Sequence, residues 1–131
     1  MSEENVEKLR AFAESWGSRE VDLSLLDSDV VYESNVLPDQ ARETYHGHEG
    51  FLRASRTWLE PYEKFTFELE RIVGSGNRLV SIHLFRWRAR GSGIEGEIRY
   101  GYVWTFRDGA VTHIAGFGEP AKALEAAGLS E

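Results

Sequence analysis

Two stretches in the second half of the chain alternate with a period of two, and they constrain the fold more than anything else in it. Every second residue reads Leu79, Ser81, His83, Phe85, Trp87 in the first stretch and Ile98, Tyr100, Tyr102, Trp104 in the second. The charged residues Arg86, Arg88, Arg90, Glu95, Glu97 and Arg99 occupy the other parity. Successive side chains of a strand point to opposite faces, so the pattern predicts a sheet with one charged side and one aromatic side. The aromatic side also carries a hydroxyl, an imidazole and phenols. Such groups need partners when buried, which suits the wall of a small-molecule cavity better than a plain core.

A chain of 131 residues with 41% hydrophobic and 12% aromatic side chains can bury a core as one domain spanning 1–131. The formal charge of -7 opposes a nucleic-acid surface, since Arg86, Arg88 and Arg90 are offset by Glu95 and Glu97. With no cysteine there are no disulfides, thiolate metal sites or cysteine nucleophiles. No apolar stretch approaches membrane-spanning length, and Glu3, Glu4 and Glu7 are the wrong charge for a signal peptide, so the expectation is a cytoplasmic protein with no membrane partner.

Val6, Leu9, Phe12, Ala13 and Trp16 have helical spacing, which predicts a helix over 4–16 stopped at Gly17. A second short helix is expected over 19–26, a strand over 29–35, and a loop around Pro38 and Asp39. Gly47 and Glu49 open a helix over 48–60, with Phe51, Ala54, Ser55, Trp58, Leu59 and Tyr62 as its buried stripe and Pro61 at its end. Strands follow at 65–73, 78–90, 94–107 and 111–118, joined by glycine-bearing links of which Asp108-Gly109 is the strongest hairpin signal. A short helix beginning at Pro120 closes the chain. Helices followed by a strand meander indicate an α+β fold with a mainly antiparallel sheet.

This order, together with the segments Asp29-Val30-Val31-Tyr32-Glu33, Tyr45-His46-Gly47-His48-Glu49-Gly50, Trp58-Leu59-Glu60-Pro61-Tyr62, Val103-Trp104-Thr105-Phe106-Arg107-Asp108-Gly109 and Ala123-Leu124-Glu125-Ala126-Ala127-Gly128-Leu129, resembles the SnoaL-like, ketosteroid isomerase-related branch of the nuclear transport factor 2-like superfamily. The resemblance covers nearly the whole chain. It implies a cone-shaped fold, a small and mostly apolar ligand inside, and a homodimer through the outer sheet face. It does not imply one activity, because isomerases, cyclases, dehydratases and binding proteins share the fold.

The same resemblance places Glu33 on the strand that supplies the isomerase with its carboxylate base; at an apolar wall its pKa would rise toward neutrality. Tyr102 matches the position of an oxyanion-binding acid, where a phenol can also donate. The isomerase's other oxyanion donor falls where this chain has Phe12 and Trp16, so steroid isomerisation is not expected. His83 shares the aromatic face and could act as acid, base or donor. Tyr32, Trp58, Phe85, Trp87, Tyr100 and Trp104 are the candidate ligand walls, although Trp58 and Trp104 read more readily as core, since large aromatics dominate any small core. Gly116 and Gly118 stand where relatives carry bulkier residues and are expected to widen the cavity, with Trp87 filling it from the other side.

His46 and His48 flank Gly47 with no third ligand at suitable spacing, so no metal is expected. His113 alternates with Ala115 and Phe117 and should face outwards. Ser81 and His83 lack a nucleophile elbow, and no phosphate loop or dinucleotide fingerprint is present, so no cofactor is implied. Three readings stay open. The chain is a proton-transfer enzyme on an apolar or aromatic carbonyl-bearing molecule, with Glu33, Tyr102 and His83 at work; or it binds such a molecule without turnover; or it is a structural domain with a filled cone.

Overall fold

The computed structural model describes residues 2–16, 21–35 and 43–129. Helix α1 (Ser2–Trp16) buries Leu9, Phe12, Ala13 and Trp16 on one face, and Glu3 and Glu4 in its first turn complement the helix dipole. The expected second helix is a single 3-10 turn, Leu23–Leu25, capped by Asp22, whose carboxylate accepts a hydrogen bond from Ser24 N at 3.0 Å. Residues 19 and 20 of that expectation, the stop at Gly17 and the loop at Pro38 and Asp39 lie outside the described residues.

Strand β1 (Leu26–Asn35) is followed by β2 (Glu43–His46), which the sequence reads as loop. Only Tyr45 of its four residues is half-buried and the others are exposed, so no hydrophobic alternation betrays it. Gly47, at a φ of +72°, turns the chain from β2 into α2 (Gly47–Leu59). The meander then runs through β3 (Tyr62–Ser75), β4 (Arg78–Ala89), β5 (Glu95–Arg107) and β6 (Ala110–Phe117) to α3 (Pro120–Ala126). Tyr62 therefore opens β3 and is not part of the stripe of α2. The β5–β6 hairpin turns on Asp108 and Gly109, both at positive φ, the geometry of a two-residue turn matched to strand twist.

Among the described residues six strands form one sheet in the order β2-β1-β6-β5-β4-β3, antiparallel except between β1 and β6. The fold is the α+β cone that the sequence implies. Its main core lies between α1, α2 and the concave face, where Trp16, Phe51, Phe85 and Trp104 are 0–1% exposed. Burying one such side chain stabilises the fold by about 1.5–3 kcal/mol relative to leaving it in water.

The opposite face is not charged throughout. On its β4–β6 half, Val80, Ile82 and Val103 form a second apolar cluster with Ala123 and Leu124 of α3. The close approach needs Gly101, where an added Cβ would stand 2.7 Å from Ala123 Cβ and 3.0 Å from Pro120 Cα. The other half carries the charges read from the sequence, paired as Arg86–Glu97 at 3.3 Å, Arg88–Glu95 at 3.1 Å and Arg99–Glu70 at 2.7 Å. These pairs are solvent-exposed enough to contribute little to stability.

Candidate functional site

Exposure along the inner face shows where the cone closes and where it opens. On β5 it rises from 0% at Trp104 through 1% at Tyr102 and 5% at Tyr100 to 40% at Ile98. On β4, Leu79, Ser81, His83 and Phe85 are fully buried while Trp87 is half-buried. The narrow end is plugged by Trp16. Its ring lies 4.7 Å from that of Tyr102, 5.1 Å from Phe67 and 5.6 Å from Trp104, and its Nε1 donates to Ser55 Oγ of α2 at 3.2 Å. The wide end is rimmed by Trp58, Tyr62, Phe65 and Trp87, all half-buried.

Between plug and rim lies a polar line on an aromatic wall. Trp104 Nε1 donates to Ser81 Oγ at 2.7 Å, and Ser81 Oγ is 2.7 Å from His83 Nε2. The register explains it: Leu79 pairs with Trp104, Ser81 with Tyr102 and His83 with Tyr100, so four polar rings and the Ser81 hydroxyl sit on adjacent rungs of one face. The imidazole stacks on Phe67 with centroids 4.3 Å apart and planes 7° from parallel, and Trp16 and Tyr102 meet it edge-on. Burial pushes its pKa down to about 3, so His83 is neutral near pH 7. Its Nδ1 is buried and has no hydrogen-bond partner among the described residues.

Three phenols converge on the same wall. The Tyr32 hydroxyl of β1 and the Tyr102 ring of β5 both border Gly116, and burial drives both phenols well above the ordinary value. Burial also raises Tyr100, with the neighbouring Tyr62 adding to the effect. Trp58 Nε1 is buried without a hydrogen bond of acceptable geometry, although its dipole reaches the Tyr100 oxygen and opposes part of that rise. At neutral pH these phenols are protonated, and the wall offers donors.

Glu33 does not join them. Tyr32 points inward, with its ring 5.4 Å from Phe51, so its neighbour Glu33 points to the opposite face, where its carboxylate is hydrogen-bonded to His113 Nε2 across β1 and β6. His113 accordingly lies on the outer face, as its parity implies. The structure thus brings Tyr102, His83, Tyr32 and Tyr100 together with Trp58 and Phe85, whose rings are 4.8 Å apart, and leaves Glu33 behind the sheet.

The expected widening at Gly116 is also corrected. Tyr102 occupies the space: a Cβ added at Gly116 would stand 2.8 Å from Tyr102 Cε1 and 3.5 Å from the Tyr32 hydroxyl. Gly118 lies beyond the end of β6, in the bend leading to α3. Trp87 lies at the rim, flat against Gly96 of β5, where an added Cβ would be 2.4 Å from its Cζ2. Trp104 is bound up with Ser81 at the closed end and acts on the wall from behind. His48 spends Nε2 on the Leu26 carbonyl at 2.8 Å, and among the described residues no three His, Asp or Glu side chains cluster as a metal site. A shallow depression of about 250 Å³ lies outside the cone, between α1, the 3-10 turn and the β5–β6 hairpin.

Sequence reasoning did not single out Phe67, Gly96 or the plugging role of Trp16. Phe65, Phe67 and Leu69 alternate like the other strands and could have marked Phe67; Gly96 is legible only once Trp87 is known to be its cross-strand partner.

The SnoaL-like domain model matches residues 9–114. The chain belongs to the SnoaL-like family. Among solved structures, a nuclear transport factor 2-like protein of unknown function from Burkholderia pseudomallei is 22% identical, covering 97% of this chain and 98% of that one at a TM-score of 0.74. A SnoaL-like polyketide cyclase, so described provisionally, from Jannaschia sp. is 17% identical over 99% and 95% of the two chains, at 0.74. TerC, crystallised with polyporic acid, is 18% identical over 93% and 96%, at 0.75. At these identities the likeness establishes the fold. A search of curated proteins returns no match. The family is one of small-ligand-binding domains, and among the described residues no helix is long and apolar enough to cross a membrane.

Proposed function

We propose that this SnoaL-like domain binds a small apolar or aromatic, carbonyl-bearing molecule that enters at the Trp58, Tyr62 and Trp87 rim and lies against Phe85 and Tyr100. One observation carries the reading. The inner wall holds a fully buried neutral imidazole whose Nδ1 has no hydrogen-bond partner among the described residues, with the paired Ser81 and Trp104 beside it and the apolar face of Phe67 against it. An orphaned buried polar atom costs about 1–3 kcal/mol, a cost that a ligand oxygen would relieve. Ring faces on either side supply apolar area for a flat molecule. The neighbour crystallised with polyporic acid and the neighbour described as a polyketide cyclase are in keeping with an organic ligand of this kind.

Binding is favoured over proton transfer with Glu33 as base, because that carboxylate is held by His113 on the other face. Among the described residues no Asp or Glu is buried in the cone. Whatever chemistry the pocket performs would rest on Tyr102 and His83 as donors. A homodimer in this reading meets through the charged half of the outer face that α3 leaves uncovered.

The test is a panel of flat bicyclic ketones titrated against intrinsic tryptophan fluorescence, with thermal stabilisation as a second readout. Binding that quenches fluorescence in the wild type and is weakened in Tyr100→Leu supports the reading. Absence of saturable binding across the panel overturns it.

A further inference from the structure

We propose that Trp104 and Ser81 hold His83 in the tautomer that carries its proton on Nδ1, so that the imidazole meets a bound molecule as a hydrogen-bond donor and selects a neutral oxygen acceptor. The first half is a property of the free protein; the second rests on the small-ligand reading above.

The deduction follows from donor bookkeeping along one line of atoms. An indole N–H can donate and cannot accept, so the 2.7 Å contact between Trp104 Nε1 and Ser81 Oγ fixes the serine oxygen as acceptor. Ser81 is fully buried, and its own hydroxyl proton needs an acceptor. His83 Nε2, at 2.7 Å, provides one. A nitrogen that accepts carries no proton, so the single proton of the neutral ring sits on Nδ1. The converse arrangement, with Nε2–H donating to Ser81, would orphan both the serine proton and Nδ1. The arrangement proposed orphans Nδ1 alone.

Ring packing keeps this proton in place. Phe67 stacks on one face of the imidazole, and Trp16 and Tyr102 abut its edges, so the ring cannot swing to find another partner. Protonation at both nitrogens is opposed by the apolar surroundings, and among the described residues no carboxylate is buried to offset such a charge. What remains is a fixed N–H dipole in a dry aromatic wall. It favours a ketone, quinone or similar neutral oxygen, whereas a carboxylate would enter without a buried Lys or Arg among the described residues to balance it. Ser81 and Trp104 are in this scheme positioning residues, since they act through His83.

The test has two arms. In the ligand-free protein, 15N-histidine NMR at neutral pH reads the tautomer directly; the expected spectrum shows Nδ1 protonated and Nε2 bare. Trp104→Phe removes the obligatory donor and Ser81→Ala the relay, and each is expected to shift His83 toward a tautomer mixture, with circular dichroism confirming that the variant is folded. A wild-type His83 protonated on Nε2 or on both nitrogens overturns the assignment, as does a spectrum unchanged in both folded variants. In the second arm, 1-indanone is compared with indane, which has the same ring frame and no carbonyl. The wild type is expected to prefer the ketone about tenfold, and His83→Phe to lose that preference, binding the two compounds alike. Equal binding of the two by the wild type overturns the selection and leaves the pocket reading standing. Failure of both to bind overturns selection and pocket reading together, while the tautomer arm stands on its own result.

Discussion

Glu33 and His113 are hydrogen-bonded to each other across the parallel pair β1 and β6, on the sheet face opposite Tyr32. The carboxylate is 22% exposed and the imidazole 36%, so the contact is partly screened and its contribution modest. Glu33→Gln is therefore expected to cost about 1 kcal/mol or less in urea denaturation. Affinity for bicyclic ketones should stay within about twofold, because the substitution lies behind the sheet. A tenfold loss of affinity would return Glu33 to the site.

How much of this was legible in the sequence differs element by element. The inner face of β4 and β5 was readable because the period of two runs unbroken from Leu79 to Trp87 and from Ile98 to Trp104. On β1 the rule was weaker: Val30 and Tyr32 are the buried residues and Glu33 has the other parity, but Val31 shares the parity of Glu33, so apolar residues stand on both faces and the alternation alone did not turn Glu33 outward. The β-favouring run Val30-Val31-Tyr32 marked a strand there, and the resemblance could not by itself orient one side chain on it. Strand β2 was invisible because pairing with β1 depends on backbone hydrogen bonds and its side chains are mostly exposed. The seat of α3 was hidden for a similar reason. Gly101 reads as a weak point in a strand until the helix lying against it is known.

The buried neutral His83 makes stability depend on pH in a direction that can be worked out. Its ordinary value of 6.5 falls to about 3 in the folded protein through burial. As pH drops below 6.5 the unfolded chain takes up a proton that the folded one refuses until near 3, so stability is lost through that window. Between pH 7 and pH 5 the wild type should lose about 2 kcal/mol more than His83→Phe in urea denaturation. Parallel losses in the two proteins would show that the imidazole is not held neutral.

Two glycines test the close approaches on opposite faces. Gly116→Ala drives a methyl group to 2.8 Å from Tyr102 Cε1, and Tyr102 is boxed in by Trp16 and His83, so the strain has little outlet. A cost of about 1–3 kcal/mol is expected, with weaker ketone binding as Tyr102 shifts. Gly101→Ala presses on Ala123 Cβ and the Pro120 backbone instead, and the short α3 can lift. Amide hydrogen exchange across 120–127 should accelerate while ketone affinity is unchanged. Loss of binding in Gly101→Ala would couple α3 to the cone, which the placement of the second apolar cluster does not support.

Trp58 separates stability from binding within one side chain. Its Nε1 is buried without a hydrogen bond of acceptable geometry, while its ring contacts Phe67 at 5.1 Å and Phe85 at 4.8 Å. Trp58→Phe removes the unsatisfied N–H and keeps most of the aromatic surface. Relief of the desolvation penalty, about 1 kcal/mol, opposes the lost ring area, so the free variant should be as stable as the wild type within about 1 kcal/mol. Ligand affinity should nevertheless fall several-fold, because a wall and a donor at the rim are gone. Urea denaturation and ketone titration on the same preparation check both halves. A variant that loses stability and keeps its affinity would place Trp58 in the core and move the rim toward Tyr62 and Trp87.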